Sequence, residues 1–190
     1  MRLLAIMASP RENGNSARLL RAFLEGFSSA DSETRIFSIP FLDVAPCREC
    51  LSCSQTGSCV IEDDLRKFEL YSDWSDALVV SSPIFFYGLP AQFKALIDRS
   101  QAAWYRRQDQ GEVAGSPRPA WALLSGATKG RKLFDGALLT LSYFLRVHGF
   151  SLVGRNLLRL DENEEGTQIS PEQRQAVRSS GRLLKEGGFS

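Results

Sequence analysis

The chain has 190 residues, 43% apolar and 24% charged, and its 23 basic and 22 acidic side chains leave a net charge of +1. That is the make-up of an ordinary globular protein, and it offers no electrostatic footprint for nucleic acid or an anionic membrane surface. No apolar run approaches the roughly 20 residues of a membrane span, and "SPRENGNS" interrupts the first apolar run where a signal peptide would continue, so a cytoplasmic protein is expected.

The run "RLLAIMA" (2–8) predicts a strand buried on both faces. After the turn cluster "SPRENGNS" (9–16), a helix over 17–27 places Leu19, Leu20, Phe23, Leu24 and Phe27 on one face. "ETRIFSI" (33–39) alternates as a second strand, and a cysteine-rich loop runs to about residue 62. "DDLRKFELYSDW" (63–74) predicts a short helix, with Asp63 and Asp64 at its positive end. "DALVVSS" (76–82) is a third strand, ended by Pro83.

Helical periodicity resumes over 89–104, and the polar stretch 105–118 is expected as a surface excursion. A strand at 120–126, an apolar helix closed by Gly149 and a strand from Phe150 follow. "DENEEG" (161–166) is expected as a solvated acidic loop. The last helix opens on Ser170, Pro171 and Gln173, the pattern of a capping box. His148 sits at a helix C-terminus, where a positive charge is favourable. Strands alternating with helices imply an α/β fold with a parallel sheet covered on both faces. Five of each in a single 1–190 unit fit a flavodoxin-like sheet of order 2-1-3-4-5, whose ligands bind beyond the carboxyl ends of the strands.

Attention therefore falls on the loops after strands 1, 3 and 4. In "SPRENGNS", free N–H groups at a helix start make an anion site, and Arg11 can bind a phosphate in bidentate fashion. Neither the Walker loop nor the dinucleotide fingerprint is present, so a phosphomonoester without a metal fits best. In "SSPIFFYGLP" (81–90), Phe85, Phe86 and Tyr87 offer flat apolar surface, and Gly88 is expected to let the chain turn. In "SGATKG" (125–130), small residues let backbone approach a ligand edge.

The four cysteines, Cys47, Cys50, Cys53 and Cys59, follow C-x2-C-x2-C-x5-C. A reducing compartment argues against a disulfide staple. Such a compact run suits a cubane cluster. Zinc sites of four cysteines usually come as two separated C-x2-C pairs, and free or disulfide-cycling thiols are the third reading. Arg48 and Glu49 put two charges inside the motif, which implies an exposed site.

"ASPRENGNS" (8–16), the cysteine run followed by "DD", and "SPIFFYGLPAQFKALIDR" (82–99) together resemble the iron–sulfur flavoprotein branch of the NADPH-dependent FMN reductase family. The resemblance implies noncovalent FMN and a homodimer or homotetramer. Ser9, Arg11, Asn13, Asn15 and Ser16 would hold the FMN phosphate. Pro83, Ile84, Phe85, Phe86 and Gly88 would line the isoalloxazine and ribityl, with Ser125, Gly126 and Ala127 closing the other side. All four cysteines would ligate one [4Fe–4S] cluster, whereas Lys94, Asp98 and Arg99 would be structural. Trp104 and Tyr105 would either cover a flavin across a dimer interface or simply pack.

No catalytic triad, metal triad or distinctive carboxylate pair occurs in the sequence, so the chemistry belongs to cofactors. The leading expectation is an FMN-dependent oxidoreductase that converts between two-electron and one-electron carriers, with NAD(P)H or ferredoxin as donor. The alternatives are a cluster-free NAD(P)H-dependent FMN or quinone reductase, and a flavin-binding electron carrier or sensor.

Overall fold

The computed structural model describes residues 1–110, 116–160 and 169–189. The strands among them are β1 Arg2–Met7, β2 Glu33–Ser38, β3 Ala77–Pro83, β4 Arg118–Gly126 and β5 Phe150–Arg159. All pair in parallel, in the order β2-β1-β3-β4-β5, which is the flavodoxin-like arrangement expected.

The helices are α1 Asn15–Phe27, α2 Cys53–Thr56, α3 Leu65–Trp74, α4 Ala91–Asp98, α5 Gln101–Gln110, α6 Asp135–Val147 and α7 Pro171–Glu186, with a 3-10 turn at Ile39–Phe41. Because strand side chains alternate in direction, the sheet divides its apolar residues between two cores. Leu4, Ile6, Leu78, Val80, Ala122 and Leu124 face α3, α4 and α6. Leu3, Ala5, Val79, Trp121 and Leu123 face α1 and α7. The second core depends on a close helix crossing: a Cβ on Gly26 would overlap the Arg178 carbonyl, and one on Gly181 the Phe23 carbonyl.

Two helix ends are written in local chemistry. The expected capping box opens α7, with Ser170 Oγ accepting from the Gln173 N–H and Gln173 Oε1 accepting from the Ser170 N–H. Gly149, at φ 82°, takes the left-handed conformation that stops α6.

Three expectations need correction. The single helix expected over 89–104 is two helices, because Ser100 turns its hydroxyl back onto the Leu96 carbonyl and its N–H onto Ile97. Helix α5 then continues to Gln110, through the first part of the expected polar excursion. Residues 111–115 and the acidic stretch 161–166 lie outside the described residues. Finally, His148 is not a cation at a helix end. Its ring packs edge-on against Phe68 and Phe144, and burial pushes its pKa down to about 3.

Candidate functional site

Strands β1, β3 and β4 stop side by side, with Met7 in register with Ser81 and Pro83 with Ser125, so the loops after them share one edge of the sheet. Buried hydroxyls tie these loops together. Ser81 Oγ donates to the Ser16 carbonyl at 2.7 Å, and Ser16 Oγ meets Ser125 Oγ at 2.9 Å. The Ile84 N–H donates to the Ser125 carbonyl at 2.7 Å.

In the first loop, Ser9 Oγ accepts from the Arg11 N–H and the Gly14 N–H closes back onto the Arg11 carbonyl. Gly14 caps α1 with no side chain, so the first N–H groups of α1 have no intrahelical partner. Arg11 and Asn13 stand exposed beside this helix start. Asn15 Oδ1 is buried without a hydrogen-bond partner. Turning that amide would put its Nδ2 in the same spot, so the position can serve a donor or an acceptor on a ligand.

The second loop is built differently from the expectation. Phe85 and Gly88 exchange two backbone hydrogen bonds, of 3.0 and 2.9 Å. The two residues between them, Phe86 at φ 47° and Tyr87 at φ 63°, are both left-handed. This is the type I′ pattern usually filled by Asn-Gly, so Phe86 and Tyr87 make the turn that was expected of Gly88. Left-handed backbone costs a residue with a Cβ roughly 1–2 kcal/mol. Tyr87 folds back so that its hydroxyl occupies the place a Cβ on Gly130 would take, while Phe86 is fully exposed.

In the third loop, Gly126 fits between Ile84 and Leu133, where a Cβ would stand 3.2 Å from each. Ala127 is half-buried next to it. Arg159, which sequence reading missed, fixes this loop by donating to the carbonyls of Thr128 and Gly130.

The four cysteines line one cavity of about 400 Å³, together with Asp98, Arg99, Gln101 and Tyr105. Cys47 and Cys50 are exposed and Cys53 and Cys59 half-buried. Left-handed turns at Glu49, Leu51 and Gly57 coil the loop around them. The backbone N–H of Ser52 lowers the Cys50 pKa, whereas burial raises that of Cys53. Among the described residues, no three His, Cys, Asp or Glu side chains are gathered as a single metal ion requires. The donor set is all sulfur, which suits soft metals and iron–sulfur clusters.

Arg99, expected to be structural, reaches this loop from the break between α4 and α5. Its side chain is fully buried, and it pairs with Asp63 at 2.7 Å and with Cys59 Sγ at 3.1 Å. The signal was present in the sequence: Phe93, Leu96, Arg99 and Ala103 are all buried, at helical spacing, so the pattern already carried this arginine inward. Lys94 and Asp98 instead form an exposed pair at 2.6 Å. Trp104 and Tyr105 stack edge-on, with Tyr105 at the cysteine cavity. A larger cavity, about 1100 Å³, opens at the opposite, amino ends of β4 and β5. Its Arg118 is occupied in binding the carbonyls of Ser72, Ser75 and His148.

The sequence profile of the NADPH-dependent FMN reductase family matches residues 1–158. The chain belongs to that family. An iron–sulfur flavoprotein of Methanosarcina thermophila is 30% identical over 156 residues, covering 82% of this chain and 78% of the relative. An iron–sulfur flavoprotein of Methanocaldococcus jannaschii is 29% identical, covering 82% and 77%. These relatives support the iron–sulfur flavoprotein branch of the FMN reductase family. Among solved structures, an NAD(P)H:quinone oxidoreductase from Methanothermobacter marburgensis has a TM-score of 0.68 at 19% identity, covering 100% of this chain and 98% of that one. A flavone reductase has a TM-score of 0.71 at 14% identity, covering 98% and 62%. Family membership makes the protein an FMN-dependent oxidoreductase. Among the described residues, no helix is long and apolar enough to cross a membrane.

Proposed function

We propose that this FMN reductase family member holds FMN across the carboxyl edge of β1, β3 and β4, and one [4Fe–4S] cluster on Cys47, Cys50, Cys53 and Cys59. In this reading it exchanges electrons between the two, with NAD(P)H or ferredoxin as the outside donor. The observation that carries it is that all four cysteines line one cavity. Four-cysteine zinc sites usually come as two separated C-x2-C pairs, whereas this run is compact. A cluster spreads its ligands over separate irons and calls for room between them.

The FMN half rests on the uncapped start of α1 and the orphaned Asn15 amide. Ser9, Arg11, Asn13, Asn15 and Ser16 would receive the phosphate, with Arg11 neutralising its charge. Pro83, Ile84, Phe85, Phe86 and Gly88 would bound the ring system on one side, and Ser125, Gly126 and Ala127 on the other. The buried hydroxyl contacts among Ser16, Ser81 and Ser125 tie the three loops together, so the residues that would wall a planar ligand are held relative to one another. Bound FMN supplies two-electron exchange with a hydride donor and one-electron exchange with a carrier, and a cluster supplies single electrons.

The exposed Phe86, Leu139 and Tyr143 favour a homodimer or homotetramer. A reducing, cytoplasmic setting would keep the cysteines available as ligands. The test is anaerobic purification followed by iron, acid-labile sulfide and FMN assays. About four irons and four sulfides per FMN support the reading. Flavin without iron would reduce the function to a cluster-free NAD(P)H-dependent reductase.

A further inference from the structure

One side chain closes the base of the cysteine loop. A guanidinium carries five N–H donors, and on Arg99 all five are used. Nε donates to Cys59 Sγ at 3.1 Å. Nη1 donates to the Ala45 carbonyl at 2.9 Å and to Asp63 Oδ2 at 2.7 Å. Nη2 donates to the Ile61 carbonyl at 3.1 Å and to Asp63 Oδ1 at 3.3 Å. Every acceptor lies at one of the two ends of the loop, before the first cysteine or from the last one onward. Asp63 completes the knot by accepting from the backbone N–H groups of Ala45 and Leu65.

The charge of Arg99 is already balanced by Asp63, and both side chains are nearly inaccessible. Structural needs would therefore be met by the carboxylate and the two carbonyls. The remaining donor, Nε–H, is spent on sulfur. A neutral thiol is a weak acceptor, whereas sulfur that carries anionic density, as a metal-bound thiolate does, receives a charge-assisted hydrogen bond. Hydrogen bonds to the ligand sulfurs are among the levers that set a cluster's reduction potential. Reduction adds one electron, with no atom gained or lost, and the added negative charge is shared with the sulfurs. A cationic donor on one of them stabilises the reduced state more than the oxidised state.

We propose that Arg99 is a positioning and potential-setting residue: it presents Cys59 to the four-cysteine cavity and raises the reduction potential of a cluster bound there. The inference rests on the cluster reading given above. It concerns the residue that arrives from the α4–α5 break, outside the cysteine motif itself.

The first measurement needs no variant. Protein labelled with 15N-arginine and natural-abundance protein would be reduced anaerobically, and their clusters compared by pulsed EPR. The expected result is a weak 15N coupling in the labelled sample only. The second is an EPR-monitored redox titration of wild type, Arg99→Lys and Arg99→Gln, each with iron assayed. Arg99→Gln, with its cluster loaded, should lower the equilibrium constant for one-electron reduction about tenfold, a negative shift of about 59 mV. Arg99→Lys, which keeps the charge but loses the fork, should fall between. A loaded cluster with no 15N coupling, or a loaded Arg99→Gln cluster at the wild-type potential, would overturn this inference and leave the cluster reading standing. Wild-type protein without iron would overturn the cluster reading, and this inference with it.

Discussion

Replacing Asp63 with alanine isolates the electrostatics of the loop base. The Asp63 carboxylate takes four hydrogen bonds: from Arg99 Nη1 and Nη2, and from the backbone N–H groups of Ala45 and Leu65. Burial opposes ionisation of this carboxyl, but the Arg99 guanidinium and the two N–H groups outweigh it and hold its pKa below the ordinary value. Asp63→Ala leaves a fully buried guanidinium without a countercharge. Breaking a buried pair from one side costs about 3–5 kcal/mol. For a chain of this size, about 2–4 °C of Tm goes with each kcal/mol, so Tm should fall by roughly 6–20 °C. Iron-free protein, unfolded in urea and by heat, gives the number without metal linkage. The pair Asp63→Leu and Arg99→Met, combined, should recover more than half of the loss, because an apolar replacement strands no charge. A cost below about 1 kcal/mol for Asp63→Ala, or strict additivity in the double variant, would refute the reasoning.

His148 gives a pH prediction. Its folded pKa is about 3 against an ordinary 6.5, so the neutral ring contributes stability that is complete above about pH 6.5 and is lost as pH falls toward 3. At 1.36 kcal/mol per unit this amounts to on the order of 3–5 kcal/mol, and His148→Gln should flatten that acid limb in urea titrations run at stepped pH. Asn15→Ala should weaken FMN binding about tenfold with little change in Tm, read by flavin fluorescence; an unchanged Kd would remove Asn15 from the site. Gly181→Ala must push α7 away from the Phe23 carbonyl and should cost about 1–3 kcal/mol or more. Gly188→Ala meets only the flexible end of Leu183 and is the control that should stay close to wild type.

The sheet was legible because its information is local. Continuous apolar runs such as Leu3 to Ile6 and Ala77 to Val80 mark strands buried on both faces, and the structure sends their alternate side chains to the two cores. The aromatic turn was legible as a place but not as a conformation. Sequence favours Gly88 for a left-handed position, whereas the structure puts Phe86 and Tyr87 there, held by the two Phe85–Gly88 hydrogen bonds and by Tyr87 packed against Gly130.

Asp63 shows why the cysteine site was only half readable. From sequence, an acid just ahead of α3 is accounted for by the helix dipole, and one of its oxygens does accept from the Leu65 N–H there. Its main partner, Arg99, lies 36 residues away, at the end of α4, a pairing that no local pattern announces. Arg99 closes α4 just ahead of the break at Ser100, and its helical spacing from Phe93 and Leu96 turns it inward. There a buried cation meets the carboxylate, two carbonyls and a sulfur at once. All four cysteines line one cavity, and a residue outside their motif ties the two ends of their loop together.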